Sequence, residues 1–152
     1  MFRISKLADY AVVVLADMAR TGDGLLSAAL IAEQTNISEP TVAKVLKMLL
    51  RAGLVVSVRG AAGGYRLLRP AREVSVVEII EAIEGPIALT ACVDGLEPDC
   101  ALGACCAVRG RWDSVNQALR SALEGVMLTD MMRPNTRKTI TVEEKGAAYG
   151  GH

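Results

Sequence analysis

Residues 27–68 leave the chain few folds to choose from. Residues 27–35 read as a short helix, with Ser27 placed to cap its first turn. Asn36-Ile37-Ser38 forms a tight turn, and a second helix is expected from about residue 39 to 52. Pro40 suits its first turn, where no backbone donor is needed, and Gly53 follows its end. Val42, Val45, Leu46, Leu49 and Leu50 are expected to face inward, while Thr41, Lys44, Lys47 and Arg51 recur on the other side. Two short helices about a tight turn, the second basic on its open face, describe a helix-turn-helix. The β-branched run 54–59 then reads as a strand, Gly60-Ala61-Ala62-Gly63-Gly64 as a turn tip, and 65–68 as the returning strand before Pro70. A hairpin directly after such a helix is a wing. The expected class is therefore mostly α: a winged helix-turn-helix with a small β-hairpin wing.

The flanks complete this unit. Residues 5–20 repeat apolar side chains at helical spacing (Leu7, Ala11, Val14, Leu15, Met18) and stop at Gly22-Asp23-Gly24. Residues 74–84 form a further helix. Ser75 and Glu78 make its capping box, Val77, Ile80 and Ile83 face the winged domain, and Gly85-Pro86 ends it. Residues 108–132 are expected to be one long helix, on which Trp112, Val115, Leu119, Ala122 and Val126 make a heptad-like seam suited to a two-fold homodimer. The competing reading is a helix packed on its own domain. The division is thus 1–84 winged helix, 85–107 loop, 108–132 dimerisation helix, and 133–152 a polar, unstructured tail.

Net charge is zero, but its distribution is not even. Residues 1–72 carry ten basic and five acidic side chains, and 73–152 carry seven basic and twelve acidic. A basic first half suits a polyanion. Double-stranded DNA is the expected partner, with Ser38, Thr41 and Lys44 near the start of the second helix meeting bases or phosphates. Lys47 supplies charge to the backbone, and Arg59 and Arg66 flank the wing tip, where a wing meets the phosphate backbone or the minor groove. The plainer reading is that these charges only solvate a surface. The wing glycines precede no helix with Lys-Ser/Thr, so a nucleotide site is not expected.

All four cysteines lie between Cys92 and Cys106, in CVDGLEPDCALGACC. Cys92, Cys100 and Cys106 are spaced C-x7-C-x5-C, Cys105 is the extra sulfur, and Gly95, Pro98 and Gly103 make the stretch a loop. No apolar run is long enough for a bilayer and no signal-peptide pattern is present, so a cytoplasmic chain is expected. In that reducing setting, clustered thiols point to a soft metal centre, read here as an iron–sulfur cluster, or to redox chemistry. Zinc fits the donors but not these long spacings. A thiol switch among Cys100, Cys105 and Cys106 is the main rival, although adjacent cysteines bridge poorly. The one histidine, His152, sits at the end of the tail, so no Cys–His pair is available and neither an enzyme nor a small-molecule substrate is expected.

RISKLADYAV, ISEPTVAKVLKMLLRAGLV, SVRGAAGGYRL, VVEIIEAIEGP and the cysteine pattern followed by AVRGRW resemble one known group. They are similar to the winged-helix iron–sulfur regulators typified by IscR, NsrR and RirA. EGPIALTAC and CAVRGRW bring the branch that controls the SUF iron–sulfur assembly operon nearest. The resemblance implies a cluster-sensing transcriptional regulator, with Cys92, Cys100 and Cys106 as ligands, and Trp112 in the family's place after the last cysteine. One branch has a histidine ligand where this chain has Arg109, which offers no lone pair. The nitric-oxide-sensing branch uses an aspartate near the start of the first helix, supplied by the partner subunit, and Asp9 matches it. Asp9 thus stands between a fourth ligand and a solvated first-turn acid. A 2Fe–2S cluster is favoured by the likeness, and 4Fe–4S is also compatible. A palindromic operator read by the homodimer is implied as well.

Overall fold

In a computed structural model, which describes residues 3–93 and 105–134, the chain folds as a winged helix whose last short helix returns to the core. Helix α1 (Lys6–Thr21) starts where the Ser5 hydroxyl accepts the Ala8 N–H at 3.1 Å, and it buries Ala8, Ala11, Val14, Leu15, Ala16 and Met18. Helix α2 (Ala28–Thr35) is capped by Ser27, which accepts the Leu30 N–H, and ends at Asn36 in the left-handed region. Asparagine tolerates that conformation better than most residues. Helix α3 (Glu39–Arg51) buries Val42, Val45, Leu46 and Leu49 against α1, α2 and α4. Leu50, expected inside, is 40% exposed. At about 100° per residue it falls at the edge of the buried stripe rather than within it.

Strands β1 (Val55–Val58) and β2 (Gly64–Leu67) pair antiparallel, with Val55 opposite Leu67 and Val58 opposite Gly64. The wing is shorter than the β-branched run suggested, but its place holds. It is also pinned from one side. Leu26 donates its N–H to the Tyr65 carbonyl at 2.9 Å and accepts the Tyr65 N–H at 2.8 Å. Gly64 makes this approach work: its φ is +155°, and a Cβ there would lie 2.7 Å from the Leu26 oxygen. Gly64→Ala is expected to destabilise the fold by about 2 kcal/mol, since it adds both a clash and backbone strain. Urea unfolding monitored by circular dichroism checks this.

A 3-10 turn (Ala71–Glu73), not expected from the sequence, leads into α4 (Val76–Glu84). The capping box is present: Glu78 N–H donates to the Ser75 hydroxyl, and the Glu78 carboxylate accepts the Ser75 N–H at 2.9 Å. Burial alone would raise the Glu78 pKa, but the Ser75 amide, the Arg69 guanidinium and the Ser75 hydroxyl together hold it below the usual carboxylate value.

The C-terminal region differs from the single helix expected over 108–132. Helix α5 (Arg111–Glu124) ends at Gly125, and a separate short helix α6 (Leu128–Met131) follows. Two bonds enforce the break. Val76 donates its N–H to the Val126 carbonyl and Leu128 donates its N–H to the Val74 carbonyl, both at 2.8 Å. The Asp130 carboxylate accepts the Met127 N–H at 2.9 Å and starts α6. Leu128 is fully buried in the same core as α1 and α3. Residues 126–132 therefore belong with the winged domain, and Val126 lies outside the helical seam. The unstructured tail was expected over 133–152, of which all but 133–134 lies outside the described residues. No helix among the described residues is long and apolar enough to cross a membrane.

Candidate nucleic-acid interface and cysteine site

The second helix of the helix-turn-helix presents its polar face outward. Ser38, Lys44, Lys47 and Arg51 are exposed and Thr41 is half-buried. The burial of Val42, Val45, Leu46 and Leu49 on the opposite side fixes that orientation. Ser38 occupies the N-cap position without capping the helix. Its hydroxyl instead lies 2.7 Å from that of Thr41, so both side chains sit together at the start of α3. A groove-reading helix offers its first turn to base edges in this way.

On the wing, Arg59 and Arg66 are both exposed. Arg66 sits opposite Val56 in the ladder, and Arg59 follows directly after β1. Ser27 and Ala28 at the start of α2 share a shallow cleft with Arg59, Gly60 and Gly63 of the wing. Long cations on a pinned hairpin suit phosphates rather than a catalytic task.

The cysteine site is described at its two ends. Cys92 and Cys105 are exposed, Cys106 is half-buried, and all three are free thiols. Thr90 and Cys92 lie in hydrogen-bond contact, Oγ1 to Sγ at 3.3 Å. Cys100 lies outside the described residues. No group of three Cys, His, Asp or Glu that could hold a metal occurs among the described residues. Asp9 is exposed on the first turn of α1, in a cleft with Ile4, Val12, Val76, Ile80 and Met131. The donor chemistry fits iron: cysteine sulfurs stand at both ends of a short segment, and none of the three is in a disulfide.

The residues that carry these ends are better defined. Asn116, on α5, is only 4% exposed. Its side-chain oxygen accepts the Leu89 N–H at 3.0 Å, and its amide donates to the Ile87 carbonyl at 2.9 Å. Arg120 pairs with Glu81 of α4 at 3.2 Å and with Glu124 at 3.0 Å. The stem before Cys92 is thus fastened to α5, and α5 to α4. Sequence reasoning missed Asn116 and Arg120; an asparagine between apolar seam residues carries no local signal of this. The seam itself is largely outward in the single chain, with Trp112 40% and Val115 48% exposed.

A helix-turn-helix with a basic outer face and an adjoining wing defines a DNA-binding transcriptional regulator. The family model "Rrf2: Iron-dependent Transcriptional regulator" matches residues 4–134, and the chain belongs to the Rrf2 family. Its relatives include Protein aau3 of Rhizobium meliloti, 33% identical, covering 93% of this chain and 94% of that protein. The HTH-type transcriptional regulator IscR of Photobacterium profundum is 31% identical over 91% of this chain and 80% of its own length. Among solved structures, CymR (YrzC), the global cysteine regulator of B. subtilis, superposes with a TM-score of 0.66 at 31% identity, covering 87% of this chain and 97% of that one. IscR and CymR are regulators by their names, and the family is one of transcriptional regulators rather than enzymes, in line with the expectation drawn from the lack of a Cys–His pair.

Proposed function

We propose that this chain senses iron–sulfur cluster status and passes it to an operator. The observation that carries the reading is the pair of free cysteines Cys92 and Cys106, with Cys100 between them at C-x7-C-x5-C, in a member of an iron-dependent regulator family. Cys92, Cys100 and Cys106 would hold the cluster, Cys105 being the extra sulfur. Asp9 of the partner subunit would supply a weaker fourth ligand. When bound, the cluster supplies a charged inorganic core whose presence or loss changes the local structure of its protein ligands. A 2Fe–2S form and control of SUF assembly genes are the finer parts of this reading.

The outward apolar side chains of Val108, just before α5, and of Trp112 and Val115 on it support a homodimer in which two copies of α3 meet successive major grooves about 34 Å apart. Ser38 and Thr41 would read bases. Lys44, Lys47, Arg59 and Arg66 would hold phosphates. Arg59→Ala is expected to weaken binding about equally across operator sequences and to reduce the salt slope of log K by about 1. Fluorescence anisotropy against salt concentration checks it; an unchanged slope would remove Arg59 from the interface.

Anaerobic purification tests the sensing reading. A brown protein with iron and acid-labile sulfide supports it. A colourless protein whose operator affinity follows thiol oxidation would favour the same cysteines acting as a redox switch, for which the neighbouring free thiols of Cys105 and Cys106 are the supporting observation.

A further inference from the structure

We infer that Asn116 is the positioning residue of the cysteine site, holding the stem that carries Cys92 in register with the helix that follows Cys106. The inference rests on the iron–sulfur reading and adds the element that sets the site's geometry. Asn116 behaves like one rung of a β-ladder. A single buried amide accepts from Leu89 N–H and donates to Ile87 C=O, 3.0 and 2.9 Å away. These two backbone groups flank Ala88, as the groups of a paired strand would. Asn is the shorter of the two amide side chains, which carry a donor and an acceptor on separate atoms. Glu81 reinforces the same point: it accepts from the Ile87 N–H at 3.5 Å and pairs with Arg120, one helical turn beyond Asn116.

The location gives the clamp its consequence. Only Thr90 and Ala91 separate Leu89 from Cys92, so Cys92 stays within about 10 Å of a fixed point. At the other end, Cys106 accepts the Arg109 N–H at 3.3 Å, and Val108 accepts the Arg111 N–H at 3.0 Å as α5 begins. Both described ends of the cysteine segment are thereby referred to the first turns of α5. Fixing the two ends beforehand removes ordering entropy that cluster binding would otherwise have to overcome. The same arrangement ties the site to the helix that carries Trp112 and Val115.

Loss of the two bonds should speed cluster loss about tenfold, the equivalent of roughly 1.4 kcal/mol. The test uses full-length protein reconstituted anaerobically with iron and sulfide. Visible absorbance follows cluster loss to an iron chelator in wild type, Asn116→Ala, Asn116→Asp and the exposed neighbour Gln117→Ala. The Asp variant keeps the shape and the bond from Leu89 but cannot donate to Ile87 when ionised, so it guards against a simple folding failure. The temperature is set well below the apo midpoint of every variant. The expected order is wild type equal to Gln117→Ala, then Asn116→Asp, then Asn116→Ala fastest, with an altered visible spectrum in the Ala variant. In the apo protein, hydrogen exchange at the Leu89 amide should lose about tenfold protection in Asn116→Ala. Equal loss rates and spectra, with or without that loss of protection, would reduce Asn116 to a structural contact and overturn the inference while leaving the iron–sulfur reading intact. Wild-type protein that takes up no iron and sulfide would overturn both.

Discussion

Leu128→Ala should lower the stability of the folded chain by about 3 kcal/mol and its midpoint by about 10 °C. Leu128 is fully buried in the hydrophobic core, and the short helix it starts packs against α1 and the 3-10 turn before α4. Its own N–H is committed to the Val74 carbonyl. Truncation to alanine removes most of a buried aliphatic side chain and leaves a cavity in the centre of the winged domain, where the surrounding helices can collapse only in part. Were residues 126–132 merely the outer end of a dimerisation helix, the same change would cost under about 1 kcal/mol and would act through subunit affinity. Thermal unfolding at several protein concentrations separates the two cases. A shift that is large and the same at every concentration confirms α6 as core.

The other large effect concerns the metal. Cys92→Ala should abolish cluster absorbance in reconstituted protein and bring bound iron and sulfide close to background. In the proposed site three thiolates and one oxygen would hold the iron; without Cys92 only two of the spaced thiolates remain, Arg109 offers no lone pair, and Cys105 lies beside Cys106 in sequence, thirteen residues after Cys92. Because Cys92 is exposed, its loss should leave the apo midpoint nearly unchanged, within about 0.5 kcal/mol in stability. Cys105→Ala, by contrast, should retain the cluster. If both variants kept the absorbance, the ligand set would have to be redrawn.

Much of the architecture is legible in the residues because it is written locally. Ser5, Ser27 and Ser75 stand where their caps form, and Gly53 and Gly85 follow the helices they end. The wing is announced by β-branched residues about a glycine-rich tip. The break in the C-terminal helix is not. The three–four periodicity runs through Gly125 without interruption, and one glycine costs a helix only about 1 kcal/mol. What decides it is a pair of backbone bonds to residues 74 and 76, far away in sequence. Leu50 fails for a smaller reason, lying one step beyond the edge of a stripe. The thiols of the candidate site were visible from composition and spacing. Asn116 was not, because its partners are backbone groups that any residue type would offer.

Operator affinity of one preparation, measured before and after removal of its cluster at fixed salt, tests the account most directly. Anaerobic fluorescence anisotropy on the cognate duplex, with iron and sulfide assayed in the same samples, gives both occupancy and affinity. Emptying the site is expected to change the affinity by about tenfold or more, a coupling of roughly 1.4 kcal/mol between cysteine site and groove-reading helix. Identical affinities for filled and emptied protein would contradict it.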